Sequence, residues 1–337
     1  VTIQRNSIRN VRFGISVTGE DAFIAHNTID GFSADGLRGL GNGDVFEYNV
    51  IKNVYVADPD DANHDDGFQS WSVGAGGVGS GEVLNVTLRG NVFINREDPN
   101  QLYPNSMQGI GCFDGFFANW VVENNVVITD HWHGISFYGM RDSRIVNNTV
   151  IDINDIKPGP PWIMVTAHKN GTASENVVVR NNLSTDYTLE GTSITDNANM
   201  TITDPGALFV APPFDVHLLP NAAAIDAGNA DMAPAIDADR IPRPQGNGID
   251  VGAYEWHTPD VGPIGGSGGT GGQGGGNASG GMGGAAGTGG EAGGNDTPGD
   301  AGSCGCRLAG DCSERGLSAM VGLGLAITLG MRRRRKA

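Results

Sequence analysis

The chain has 337 residues, 54 of them Gly, with 7% aromatic and 18% charged residues and a formal net charge of −17. That length leaves room for one large domain plus appendages, and the Gly content points to a turn-rich body with a low-complexity tract. The negative charge argues against a nucleic-acid partner, which would need a basic surface to meet phosphates, and is compatible with an extracellular protein that binds Ca²⁺.

Taken in chain order, short β-rich runs lead into a recurring triplet of Asn, one variable residue and an apolar residue. It stands at Asn6-Ser7-Ile8, Asn27-Thr28-Ile29, Asn49-Val50-Ile51, Asn91-Val92-Phe93, Asn125-Val126-Val127 and Asn148-Thr149-Val150, with a degenerate copy at Asn182-Leu183-Ser184. The first two intervals, Asn6 to Asn27 and Asn27 to Asn49, are 21 and 22 residues, and the later ones of 42, 34, 23 and 34 fit one turn or one turn with an insertion. A second phrase follows each time, opened by Gly14, Gly36, Gly67, Gly109 and Gly134. Apolar and polar residues tend to alternate in the runs before the triplets, as in strands with one buried face. A period near twenty with strand-like content predicts a solenoid in which the Asn side chains stack into a ladder. A β-sandwich also has short strands, but no reason to repeat Asn-x-Ile at a fixed period. Val1 already sits inside a repeat, so upstream turns are expected.

Over residues 1–205 this pattern resembles the right-handed parallel β-helix family: an all-β coil whose stacked Asn side chains, by that resemblance, hydrogen-bond along the axis. Residues 206–257 hold Phe214-Asp215-Val216-His217, Ala224-Ile225-Asp226 and Gly248-Ile249-Asp250-Val251-Gly252-Ala253-Tyr254-Glu255. They look like the closing segment of secreted bacterial β-helix proteins, expected to cover the last open turn, with Asp226, Asp250 and Glu255 as turn and cap hydrogen-bonders or, alternatively, metal ligands. Residues 258–303 are Gly-rich, a composition suited to a flexible linker. Residues 304–337 carry Cys304-Gly305-Cys306, an apolar run from Leu317 to Met331 and Arg332-Arg333-Arg334-Arg335-Lys336. That layout is similar to myxobacterial C-terminal sorting signals. It implies export, a membrane-directed apolar helix before processing, and display at the cell surface or outer membrane or release from it, of a protein expected to be a monomer.

Aligning the second-phrase glycines places Asp35, Asp66, Gln108 and His133 in one column, followed outward by Arg38, Gln69, Gly111 and Ser136 and then by Leu40, Trp71, Phe113 and Tyr138. With turns about 4.8 Å apart, these residues make a strip of acids, amides, a His, an Arg and aromatics, the inventory of a sugar-binding groove. A solvated polar face over a packed coil has the same composition. The insertion Asp58-Pro59-Asp60-Asp61-Ala62-Asn63-His64-Asp65-Asp66 opens onto the column. Its carboxylates Asp60, Asp61 and Asp65 are candidate Ca²⁺ ligands, and His64 is a candidate base. Solvated acidic turns look alike.

The other candidates for catalysis are His133, Tyr138 and Arg141, because β-elimination of a uronic acid needs a base, a proton donor and a cation for the carboxylate. Arg38, Asp66, Gln69, Trp71, Gln108, His168 and Lys169 are the candidate substrate-binding residues. Asp65-Asp66 and His133-Gly134 resemble the Asp pair and His-Gly of polygalacturonases, but no Arg-x-Lys follows. The Asp-Pro-His of mannuronan epimerases is Asp58-Pro59-Asp60 here. The expected function is therefore binding of an acidic polysaccharide and its cleavage by elimination; the alternative is a non-catalytic adhesin.

Overall fold

The computed structural model describes residues 1–58, 61, 63–153, 158–259 and 261–263. The Gly-rich linker from residue 264, the Cys motif, the apolar run and the basic tail lie outside the described residues, as does Asp60. Among the described residues no helix is long and apolar enough to cross a membrane.

The chain winds as a coil whose repeats each contribute up to three short strands, and equivalent strands pair in parallel into three sheets. The first sheet begins with Thr2–Gln4, Phe23–Ala25 and Val45–Glu47; the second with Ser7–Val11, Thr28–Phe32 and Val50–Val54; the third with Ile15–Val17, Asp35–Gly39 and Asp65–Trp71. The apolar residue of each triplet stacks on the next, Ile8 on Ile29, Ile29 on Ile51 and Ile51 on Phe93, with Phe93 on Val127 and Val127 on Val150. Together with Leu37, Phe68, Ile110 and Ile135 of the third sheet they fill a continuous core. Cys112 is buried and unpaired within it. Trp120 anchors the middle, its indole nitrogen donating to the Val83 carbonyl at 2.9 Å while Phe68, Phe117 and Phe137 meet it edge-on.

The Asn ladder is present and longer than the sequence pattern suggested. Each Asn Nδ2 donates to the Oδ1 of the next turn's Asn at 2.9 to 3.0 Å from Asn6 through Asn182, and the series ends on Asn199 at 2.9 Å. From Asn27 onward the same Nδ2 reaches a main-chain carbonyl of the preceding turn, as Asn91 does to Phe46 at 2.9 Å, and the Oδ1 also accepts a main-chain N–H, as that of Asn91 does from Asn49. The residue before every ladder Asn, from Arg5, His26 and Tyr48 to Ala198, is left-handed, which bends the chain between the first and second sheets. That conformation costs a non-Gly residue about 1 kcal/mol, and the saturated amide offsets it.

The recurring Gly has a steric cause. A Cβ at Gly36, Gly67, Gly109 or Gly134 would meet Ile51, Phe93, Val127 or Val150 at 2.3 to 2.6 Å, so the start of each third-sheet strand packs directly on the triplet's apolar side chain.

Residues 205–256 depart from expectation. Instead of lying across the final turn alone, this segment runs down the flank of the coil. Leu208, Phe209, Val216, Leu218, Val251 and Ala253 cover the outward side of the second sheet at Val126, Ile128, Ile151 and Leu183. Those outward positions are apolar, so leaving them bare would expose a hydrophobic stripe. Asn147 and Asn181 of the corner reach out to the carbonyls of Asp250 and Asn229 at 3.0 and 2.8 Å. Asp226, Asp250 and Glu255 act as hydrogen-bonders: Asp226 N donates to Asp250 Oδ1 at 2.7 Å, and the buried Arg243 pairs with Glu255 at 2.7 Å.

Candidate functional site

The candidate strip lies on the outer face of the third sheet, where Asp35, Asp66 and Gln108 occupy one register position on successive turns. Because the following Gly faces inward, the residue before it is turned outward. The Asp66 carboxyl fits there because Gly111 of the next turn lacks a side chain; its Cβ would fall 2.4 Å from Asp66 Oδ1. From Asp66 a chain of contacts runs along the strip. Gln69 Nε2 donates to Asp66 Oδ2 at 3.1 Å, Arg38 donates to Gln69 Oε1 at 3.4 Å, and Arg38 also pairs with Asp35. The Arg38 guanidinium is held between the rings of Phe13 and Trp71, 4.7 Å from each centroid. Arg38 is thus engaged by an acid and two aromatic faces, although its Nε finds no hydrogen-bond partner.

His64 gives this buried array an outlet. Its Nδ1 lies 2.8 Å from Asp66 Oδ2, and its side chain is 59% exposed whereas that of Asp66 is 0% exposed. Burial pushes Asp66 up to about 7, against the pull of its hydrogen bond to His64. That same hydrogen bond, first among its causes, raises His64. The two groups titrate as a coupled pair, so neither shift belongs to one residue alone. Burial likewise pushes Asp65 up to about 6 although Asn105 donates to it at 2.6 Å, and raises Asp35. Five buried polar atoms, Asp35 Oδ1, Arg38 Nε, Asp65 Oδ1, Asp66 Oδ1 and Gln108 Oε1, have no hydrogen-bond partner. Ionised, each of these acids keeps one buried oxygen without a donor; taking up a proton relieves that deficit.

His133 lies on the same face but cannot take a proton readily. Burial, with neighbouring His131, pushes it down to about 4. Its Nδ1 lies 2.9 Å from Ser136 Oγ, and the Trp162 indole N–H points at both atoms, 3.3 Å from Nδ1 and 3.2 Å from Ser136 Oγ. Phe113 packs on it at 4.7 Å and on Tyr138 at 5.2 Å, while Trp132, 42% exposed, stacks on Trp162. The sequence pattern offers His133 as a base; the structure surrounds it with Trp132, Trp162, Phe113 and Tyr138 in an aromatic platform.

The remaining candidates are dispersed. Arg141 is not in the strip: Gly139 turns the corner after Tyr138, and Met140–Val146 belongs to the first sheet, where Arg141 pairs with Glu82 at 2.7 Å over the Phe116 ring. His168 is buried against Phe116 at 4.4 Å, and Lys169 pairs with Asp114 at 2.6 Å. Asp61 is held by both arms of Arg12 at 2.6 and 3.2 Å, while Asp65 is turned to Asn105. Among the described residues no three His, Cys, Asp or Glu side chains gather into a metal-binding group. Trp162 was missed because its turn replaces the Gly phrase with Pro160-Pro161; its Cα pairing to His133 is the signal that finds it.

Residues 1–157 match the family model described as "Right handed beta helix region". A search of curated proteins returned no match. Among solved structures the chain is similar to one described as the crystal structure of pectate lyase Pel9A, with 13% sequence identity, a TM-score of 0.37, and coverage of 74% of this chain and 70% of that chain.

Proposed function

We propose that this chain acts on a polysaccharide laid along the outer face of the third sheet, with His64 as the group that takes the proton and Asp66 as the acid behind it. The single observation that carries the reading is the His64–Asp66 pair: an exposed imidazole oriented and tuned by a carboxyl that is itself 0% exposed. A general base needs access and orientation; His64 is exposed and its ring is held by Asp66, whose hydrogen bond raises it. Aromatic rings along the strip supply faces for pyranose stacking.

Elimination suits the arrangement better than hydrolysis. Hydrolysis of a glycosidic bond asks two carboxyl groups to reach it from either side, whereas Asp35, Asp65 and Asp66 are 2%, 2% and 0% exposed. Elimination asks for one base at C5 and stabilisation of the uronate carboxylate. A second reading, glycan binding without turnover, is favoured by the engagement of Arg38, which is already paired with Asp35 and held between two rings. The Cys-Gly-Cys, apolar run and basic end of the tail support surface display.

The test is incubation with a panel of uronic-acid polymers, following ultraviolet absorbance of unsaturated products, with wild type and His64→Gln in parallel. Product from wild type alone supports elimination at His64. Binding of a polymer by both proteins without product favours the adhesin, and equal product from both sinks the assignment of His64.

A further inference from the structure

A second polar site lies on a different face, where the segment 233–240 passes over the first sheet. There a cavity of about 560 Å³ is lined by His26, Glu47, Tyr48, Arg89, Glu123, Arg144 and Arg240 together with residues 233–236. Its charge is opposite to that of the molecule. Three arginines face two glutamates, an excess of one positive charge on a chain of net −17. Arg89 donates to Glu123 at 2.6 Å and lies 3.5 Å from Glu47, and Arg144 shares Glu123 at 3.3 Å, so both glutamates are committed to these two arginines. Arg240 has no acidic partner among the described residues; its guanidinium rests 5.5 Å from the Tyr48 ring centroid. The Tyr48 hydroxyl and Arg144 Nε are buried with no hydrogen-bond partner. His26 stacks on Tyr48 at 5.4 Å with 8° between the ring planes, and burial first, then Arg240 and Arg5, lower its pKa, so this paired platform is uncharged at neutral pH.

We infer that this cavity is a site for a small carboxylate-bearing sugar, one acidic saccharide unit in size. An unpaired guanidinium is the preferred fork for a carboxylate. The neutral His26 and Tyr48 rings line the cavity and supply apolar surface against which a pyranose ring packs. The volume falls in the range of small-ligand sites, and the unpartnered Tyr48 hydroxyl supplies a polar group for a ring hydroxyl. This site is independent of the third-sheet strip: none of its lining residues belongs to that sheet.

Calorimetric titration of the full chain with galacturonic acid, its methyl ester and inorganic phosphate tests the inference. One galacturonate is expected to bind, with the ester and phosphate each at least tenfold weaker. Arg240→Gln is expected to weaken galacturonate at least tenfold with an unchanged thermal midpoint, Tyr48→Phe to weaken it less, and His64→Gln to leave it unchanged. Loss of binding in His64→Gln instead would move the ligand to the third sheet and overturn the site. Undiminished binding in Arg240→Gln, no galacturonate binding at all, or phosphate binding as tight as galacturonate would each overturn the proposal.

Discussion

Two columns of polar side chains run along this coil, spaced by the same strand-to-strand repeat, and they end up in opposite states. In the corner between the first and second sheets, the stacked Asn side chains are saturated from turn to turn. On the third sheet, the column of Asp35, Asp66 and Gln108 leaves an oxygen of each residue unpartnered. For the two acids, the difference lies in the inventory of the groups. An amide both donates and accepts, so a stack of amides closes head to tail, whereas an ionised carboxylate only accepts. A stack of buried acids therefore has to capture protons, and does so with Asp66 pushed up to about 7. One column is a spine and the other a proton store.

The largest expected effect breaks the spine. Asn91→Ala removes the acceptor for Asn49 and the donor to both Asn125 and Phe46, all buried. Leaving these groups unsatisfied should cost about 3 to 5 kcal/mol, read as a lower urea midpoint. Asn6→Ala at the exposed end should cost under about 1 kcal/mol. Equal costs at the two positions would mean that the ladder does not act through burial.

Next in size, and confined to the other column, His64→Gln should lower turnover about 100-fold or more while shifting the thermal midpoint little, because the ring is exposed. In wild type, raising the pH should increase the rate through a midpoint above the ordinary histidine value, since the hydrogen bond to Asp66 raises His64 and a base works only when unprotonated. A rate that falls over that interval would give the imidazole the role of acid instead.

A third prediction concerns stability and pH. Asp66 titrates at 3.8 in the unfolded chain and about 7 in the fold, and Asp65 at about 6. Groups raised in this way contribute stability that is fully present below the unfolded value and is lost as pH rises through the folded one. Wild type should therefore lose stability between about pH 4 and pH 7, by up to about 4 kcal/mol from Asp66. Asp66→Asn, which cannot ionise, should be more stable than wild type by about 1 to 3 kcal/mol at pH 8 and no more stable at pH 4. Chemical denaturation at the two pH values decides it; an identical difference at both would remove the proton store.

Smallest is Trp71→Ala. It removes one ring from the Arg38 sandwich and one stacking face, and should weaken polysaccharide binding by about 0.5 to 1.5 kcal/mol. Affinity electrophoresis in gels containing the polymer would read it, and unaltered mobility would exclude Trp71 from the binding face.

The spine could be read in the sequence almost completely, because a steric and hydrogen-bonding requirement that returns every turn writes itself as a period. Only Asn199 escaped, 17 residues after Asn182 and with Thr201 where the triplet has its apolar residue. The membership of the strip was also legible, since Asp35, Asp66 and Gln108 share a register position. What could not be read was depth and direction. Residue spacing says nothing of a Gly111 that sinks Asp66, of an indole arriving from the next turn to occupy His133, or of a corner at Gly139 that carries Arg141 to another sheet. The flank-covering path of residues 205–256 was hidden for a related reason: the outward apolar residues it covers, such as Val126 and Ile128, read as ordinary strand content.

The corner that carries the ladder always takes two residues, from Gln4 to Ser7 and Glu47 to Val50 through Asn197 to Met200. The passage from second to third sheet is different, spanning Val54 to Asp65 in one turn, Ile94 to Met107 in another and only Thr129 to His133 in a third. Length is thus admitted on one side of the molecule without disturbing pairing on the other. For protein engineering this makes the coil a chassis: a foreign loop grafted between Ile94 and Met107 would be presented beside the third sheet while the Asn corner keeps count of the turns.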